Sequence, residues 1–179
     1  GDQLKVTPHM AMIAEQTDHN IHSGEATYDL WLRDHRDHLS VFAATQNTHR
    51  QSYYGSDMDP NAYGRTSDVV ITAGSQWTHP MDRFLFMPAE LVAGVEYSFN
   101  RLHDVTVGYD HDVKQCVRIY SAYLQNEWRN ERWGFLAGAR IDKHSLIHNP
   151  IISPRVNIRF NPSKNMNFRA SYSTGFRSP

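Results

Sequence analysis

Polar and apolar side chains alternate through the last stretch of the chain, residues 151–179. Val156 and Ile158 share one parity, and polar side chains occupy the positions around them. The alternation resumes after residues 161–165, where Pro162 and its Asn and Ser neighbours favour a tight turn. A period of two residues is typical of a strand with one apolar and one polar face. The pattern therefore predicts two antiparallel strands joined by a turn.

The same period recurs upstream, so the sequence predicts an all-β fold of about nine strands, without a helical pattern. Before the closing pair, the predicted strands cover residues 4–14, 25–33, 39–48, 68–78, 87–100, 116–128 and 133–142. The long polar connections are 17–24, 49–67, 101–115 and 143–150, and the short ones are 34–38, 79–83, 129–131 and 161–165. Long connections at one end and short turns at the other indicate an up-and-down antiparallel meander of the kind found in outer-membrane barrels. A soluble β-sandwich remains the alternative, although it does not require this alternation.

The two faces of such strands would have different surroundings in the two architectures. In a soluble sandwich the polar face lies outside, whereas in a membrane barrel it lines the water-filled interior and the apolar face meets lipid. A charge turned toward lipid at mid-bilayer costs about 2 to 4 kcal/mol. The barrel interpretation therefore predicts five lumen-facing side chains: Arg140, Asp142, Arg155, Arg159 and Arg169.

Composition narrows the class of protein. Only 40% of the 179 residues are hydrophobic, and no run approaches the roughly 20 apolar residues of a spanning helix. The net charge of −1 provides no global field for nucleic acid, so no nucleic-acid partner is expected. The single Cys116 excludes an internal disulfide framework.

The two ends of the sequence suggest a piece of a longer protein. There is no initiating Met, and the chain stops within a predicted strand. We therefore expect residues 1–179 to be a partial β-barrel domain, truncated at both ends. A cut barrel leaves unpaired strand edges and apolar faces without lipid, so the isolated fragment is expected to associate with itself.

Several segments resemble the barrel of TonB-dependent outer-membrane receptors. YLQNEW (Tyr123–Trp128) and GARID (Gly138–Asp142) resemble strands of this family, and the loop SYYGSDMDPNAYGRTSD (Ser52–Asp68) is similar as well. The stretch Ile152–Pro179 ends in Phe176-Arg177-Ser178-Pro179, similar to the family's FRAP box with Ser in place of Ala. The resemblance covers most of the chain.

This resemblance implies a barrel of about 22 strands closed around an amino-terminal plug domain. It also implies a parent protein in the outer membrane of a Gram-negative bacterium, surrounded by outer-membrane lipid. Such a protein takes up a scarce nutrient with energy delivered through TonB, using parts that lie outside this chain. The nutrient could be a ferric siderophore or other metal chelate, haem, cobalamin or a glycan. A soluble or secreted all-β ligand-binding domain is the second hypothesis, and an outer-membrane barrel hydrolase is the third.

Aromatic and cationic side chains in the long connections are the candidates for ligand binding, because rings and cations together hold bulky ligands. These candidates are Tyr53, Tyr54, Tyr63, Arg65, His103, Tyr109 and His111. Anchoring at the membrane interface is the alternative for the tyrosines. Residues 49–67 are predicted to be irregular and mobile, because Gly, Asp and Asn offer few apolar contacts.

The chain has eleven histidines, but their spacing argues against a metal centre. His19 and His22, like His35 and His38, are three apart, which on a strand places them on opposite faces. Loop histidines escape this restriction, although imidazoles are readily tolerated in polar loops. The loop aspartates lack a complete Ca²⁺ signature: Asp57, Asp59, Asp104, Asp110 and Asp112. No nucleophile motif is present, so no metal, cofactor or enzymatic activity is predicted.

Overall fold

The computed structural model describes residues 14–34, 36–56 and 59–175. These residues form one antiparallel sheet of eight strands whose spatial order follows the sequence. The strands are β1 (Ala14–Leu32), β2 (Asp37–Gly55), β3 (Tyr63–Phe84), β4 (Met87–Thr106), β5 (His111–Arg129), β6 (Trp133–His144), β7 (Ile151–Ser163) and β8 (Met166–Ser173). The prediction of an all-β, up-and-down meander is confirmed. No helix within the described ranges is long and apolar enough to cross a membrane.

The register of the last strands follows the predicted alternation. Val156 of β7 lies opposite Tyr172 of β8, and Trp133 of β6 lies opposite Phe160 of β7. Apolar residues therefore meet apolar residues across these strand pairs, as the period of two requires. The ladder between β7 and β8 is irregular only near the turn, after Phe160.

The long polar connections were predicted wrongly in three places. Residues 17–24 lie inside β1 instead of joining two strands. Residues 49–67 are mostly strand, since β2 continues to Gly55 and β3 begins at Tyr63. Residues 101–115 likewise contain the end of β4 and the start of β5, with a 3₁₀ turn at Val107–Tyr109 between them. Backbone ladder bonds do not require an apolar side-chain face, so these strands continue where the alternation fades.

Two further boundaries differ from the prediction. Residues 79–83, predicted as a short turn, belong to β3, and the chain turns at Leu85 and Phe86 instead. The predicted first strand, 4–14, lies outside the described residues apart from Ala14, as does the Phe176–Pro179 box.

The strands leave much of their apolar surface uncovered. Val95 and Leu124 are each 55% exposed, and Tyr172 is 63% exposed. A single sheet has no second layer to cover its apolar side, so these side chains need lipid or another apolar environment. The strands are also long: β3 has 22 residues, whereas a strand needs only about 9 to 11 to cross a bilayer.

The chain divides into two compact units. One contains residues 44–71 and 99–117 with the part of β1 that ends at Glu25. The other contains residues 26–43 and 72–98 and the chain from Arg118 onward. We refer to them as the first and the second unit.

Candidate functional site

A charged network in the second unit is centred on Arg140 of β6. Its guanidinium donates from Nε to Asp142 Oδ1 (2.8 Å) and from Nη2 to Glu96 Oε1 and Ser121 Oγ (both 2.8 Å). The Ser121 hydroxyl in turn donates to Asp142, its register partner across β5 and β6. Asp142 is only 4% exposed. A buried carboxylate is stable only when it is paired, so Arg140 compensates the two carboxylates and joins side chains of β4, β5 and β6.

Tyr123 extends this network along β5. It lies opposite Arg140 in the register, and its hydroxyl donates to Gln76 Oε1 of β3 (2.9 Å). Its ring covers Gly94 of β4, where any Cβ atom would overlap the ring atoms. The absence of a side chain at Gly94 therefore makes room for an aromatic ring that spans three strands.

The five predicted lumen-facing residues lie on one face of the sheet. Arg140 is opposite Ser153 and Asp142 is opposite Ile151, which puts the odd positions of β7 on their side. Arg159 of β7 is then directly opposite Arg169 of β8. The structure joins only Arg140 and Asp142; Arg155, Arg159 and Arg169 have no carboxylate partner among residues 59–175. That this face lines a lumen stays a prediction.

A second charged cluster lies in the first unit, around Asp104 of β4. Thr66 donates to Asp104 Oδ1 at 2.5 Å, and Arg50 reaches both the Thr66 hydroxyl (3.1 Å) and the Asp104 carboxylate (3.5 Å). The predicted residue His111 approaches Asp104 Oδ2 at 3.4 Å. Sequence reasoning missed Arg50 and Thr66, because pairing them with Asp104 requires the register of β2, β3 and β4.

The seven predicted ligand-binding residues do not form a single site. His103 pairs with Asp112 (3.0 Å) and His111 with Asp104. Since residues 103 and 104 are neighbours in β4, these two pairs lie on opposite faces of the β4–β5 hairpin. The set is therefore divided between two surfaces.

The tyrosines of this set differ in accessibility. Tyr53 is 3% exposed; its ring packs against Tyr63 with centroids 4.8 Å apart, and its hydroxyl donates to the Ser56 carbonyl (3.0 Å). Tyr54, Tyr63 and Tyr109 are 54%, 42% and 69% exposed. Tyr53 therefore supports its neighbours, and the other three present ring surface to the outside.

The connections of the first unit are packed against each other. Gly108 lies against the Asn61 carbonyl so closely that a Cβ atom would overlap it. Asp59 accepts a hydrogen bond from the Asn61 backbone N–H (2.9 Å) and so caps the 3₁₀ turn Pro60–Ala62. The turn Pro60–Ala62, in the segment 49–67 that was predicted to be mobile, thus packs against the turn Val107–Tyr109.

Asp112, beside the connection 107–110, is held in its charged form. The Lys114 ammonium, which donates to its carboxylate, lowers the pKa of Asp112 below the ordinary value, and the His103 hydrogen bond lowers it further. The carboxylate therefore keeps both partners at neutral pH and loses them only in acid, below the ordinary range of aspartate.

We expect Lys114→Gln to raise the pKa of Asp112 toward its ordinary value, because the largest cause of the lowering is removed. The carboxyl carbon resonance of Asp112, followed by NMR during a pH titration of wild type and variant, measures this. Lys164→Gln, remote in sequence on the turn between β7 and β8, is the matched control and leaves the midpoint unchanged. An unaltered midpoint in Lys114→Gln would contradict the assignment.

An aromatic cluster in the second unit flanks the short turns. Trp128 stacks with Phe84 (6.0 Å between centroids) and donates from Nε1 to the Phe84 carbonyl (3.0 Å). Trp133 stacks with Phe160 at 4.2 Å. Aromatic belts of this kind are typical of the levels where a barrel leaves the hydrocarbon. This cluster could have been predicted from the sequence, since aromatic residues lie beside the turns at 85–86 and 130–132.

The described residues contain no group of three or more His, Cys, Asp or Glu side chains that could hold a metal ion. Within the described ranges, His103 pairs with Asp112 and His111 with Asp104. The Asp104 cluster and the Arg140 network each contain an arginine, which repels cations. The charged side chains of these two clusters therefore pair with one another.

Comparison with known families gives one match. The family model described as TonB dependent receptor-like, beta-barrel matches residues 12–179. No curated protein matches the chain.

Proposed function

Because the chain belongs to the family of TonB-dependent receptor-like β-barrels, we propose that it forms part of the barrel wall of a receptor that takes up a scarce nutrient. The family is one of outer-membrane receptors and transporters of Gram-negative bacteria, and its activity is transport. The energy would come through TonB, acting on parts of the protein outside residues 1–179. Membership supports the membrane barrel over the soluble binding domain.

The observation that best supports this proposal is that the two faces of the strands differ in polarity. One side of β6 carries the Arg140–Asp142 network, and the other carries Trp133 and the 47%-exposed Ile141. A soluble sheet would cover its apolar side with a second layer. A barrel wall leaves that side to lipid and keeps paired charges on the water-filled side.

The nutrient is proposed to belong to the metal chelates, haem, cobalamins or glycans. The exposed rings of Tyr54 and Tyr109 offer stacking surfaces, and His111, beside Asp104, offers a donor. Tyr63, Arg65 and His103 have the opposite parity to Thr66 and Asp104 in β3 and β4, so they are left out of this proposed contact. These contacts suit a bulky ligand with flat or anionic parts.

Uptake by the full-length receptor tests this proposal. A strain deleted for the gene, complemented in trans, is offered each nutrient class in labelled form. We expect uptake of one class that depends on TonB, and a roughly five- to tenfold loss of apparent affinity with Tyr109→Ala, as for an exposed aromatic contact.

Tyr28→Ala is the matched control, since Tyr28 in β1 is similarly exposed (66%) but lies far from residue 109 in the sequence. It is expected to leave uptake unchanged. Uptake of no class, or uptake that persists without TonB, would overturn the proposed function. Equal effects of both tyrosine variants would overturn the ligand contact alone.

A further inference from the structure

A groove of about 350 Å³ opens in the first unit, across β3, β4 and β5. Its charged side chains are Arg101 and His103 from β4 and Lys114 from β5. The remaining lining residues are uncharged: Ser67, Leu102, Gln115 and Cys116. The groove is therefore basic. His103 belongs to the predicted ligand-binding set, whereas the other lining residues belong neither to that set nor to the Arg140 network.

The positive charge of the groove is only partly compensated. Asp112 pairs with both Lys114 (3.1 Å) and His103 (3.0 Å). Arg101 is exposed and forms no ion pair within the described part of the chain. Arg65, two residues before Ser67 on the same side of β3, is also exposed and without an ion pair among those residues. Asp112 therefore offsets only part of the positive charge that Arg101, Lys114 and His103 bring to the groove.

The parity of the lining residues along their strands shows on which side of the sheet the groove opens. Arg101 and His103 have the same parity in β4 as Phe99, and Ser67 has the same parity in β3 as Ile71, which is 40% exposed. In a barrel wall, such apolar side chains belong to the side that meets lipid. Cationic side chains further along that side, near the connection 107–110, would then be at the level of lipid headgroups.

We propose that this groove binds the phosphate groups of a phosphorylated glycolipid at the membrane surface. Arg101 offers a planar fork of N–H donors that matches two phosphate oxygens, and Lys114 offers a compact charge beside it. His103 adds a donor when protonated. A soluble anion would find the same charges, but the groove lies on the side of the strands that faces lipid. The chemistry of the site and its position therefore favour a lipid headgroup.

The test uses the full-length receptor, folded in a zwitterionic detergent. Mixed micelles doped with diphosphorylated lipid A serve as the probe, and micelles with fully dephosphorylated lipid A serve as the chemical control. We expect the double variant Arg101→Gln/Lys114→Gln to bind the phosphorylated lipid roughly twenty-fold more weakly, since each cation near an anionic lipid surface contributes about fivefold. Arg132→Gln, an exposed arginine on the turn after β5, is the matched control and keeps wild-type binding.

The variants must first show the circular dichroism of the wild type and the heat-dependent gel mobility of a folded barrel. Each outcome of the binding experiment then supports or overturns the headgroup site. Selective loss in the double variant, absence of binding to the dephosphorylated lipid and weakening by salt support the headgroup site. Equal binding by wild type and double variant overturns it, as does equal binding of both lipids. Full displacement of the lipid by inorganic phosphate at comparable concentration would show that a soluble anion is the ligand instead.

Discussion

Replacing Arg140 by methionine is expected to lower the free energy of unfolding by about 3 kcal/mol. The guanidinium is the cationic partner of Asp142, which is buried, and of Glu96. Removing one partner of a buried pair leaves uncompensated charge, which costs about 3 to 5 kcal/mol. The lower end applies here, because the Arg140 side chain is 36% exposed and water can reach the site. Urea-dependent unfolding of the full-length protein in detergent micelles, followed by tryptophan fluorescence, measures the change.

Two further variants distinguish charge loss from general damage. Arg155→Met removes a guanidinium from the same face without orphaning a carboxylate, so we expect a change below about 1 kcal/mol. Asp142→Asn in the Arg140→Met background removes the more buried of the two orphaned carboxylates, the other being Glu96, and is expected to restore part of the lost stability. If Arg155→Met were as harmful as Arg140→Met, the network would have no special role.

Gly94→Ala is expected to destabilise the barrel by roughly 1 to 2 kcal/mol, although alanine is ordinarily the better residue within a strand. A Cβ atom at position 94 overlaps the Tyr123 ring, and overpacking of this kind costs about 1 to 3 kcal/mol. The reduced entropy of the unfolded chain offsets up to about 1 kcal/mol of that cost. The ring cannot simply move away, because its hydroxyl is bound to Gln76 at 2.9 Å. The same urea titration measures the effect.

A double-mutant cycle tests the cause of this effect. In a Tyr123→Ala background the obstacle is absent, so Gly94→Ala is expected to become neutral or slightly stabilising. Gly24→Ala in β1 is the matched control, since no atom lies within 4 Å of a Cβ built there. Persistence of the full Gly94→Ala cost without the Tyr123 ring would show that the steric explanation is wrong.

The sequence predicted the fold best where the strands have one apolar and one polar face. From Trp133 to Tyr172 the alternation of side chains gives the faces that the register shows. In residues 17–24 and 49–55 polar side chains predominate and the alternation fades, and a ladder of backbone hydrogen bonds leaves no mark on side-chain periodicity. Strand ends without an apolar face were therefore interpreted as loops.

The candidate sites were harder to predict because they depend on pairings between strands. Arg140 and Asp142 are two residues apart, so their shared face follows from β6 alone. Glu96 joins them from β4, and that contact depends on the register across β5. In the same way, His103 and His111 both belonged to one predicted set, but their partners lie on opposite faces of a hairpin.

The packing of Gly108 against Asn61 has a kinetic consequence for whatever the receptor captures. A loop that closes over a bound ligand needs residues that make no ladder hydrogen bonds and can adopt two conformations. Here β3, β4 and β5 run up to the 3₁₀ turns, Asp59 caps one of those turns, and the two turns pack against each other. A lid motion of these two turns would first have to break ladder bonds of β3, β4 and β5. We therefore expect the two turns to meet a ligand in a preformed conformation.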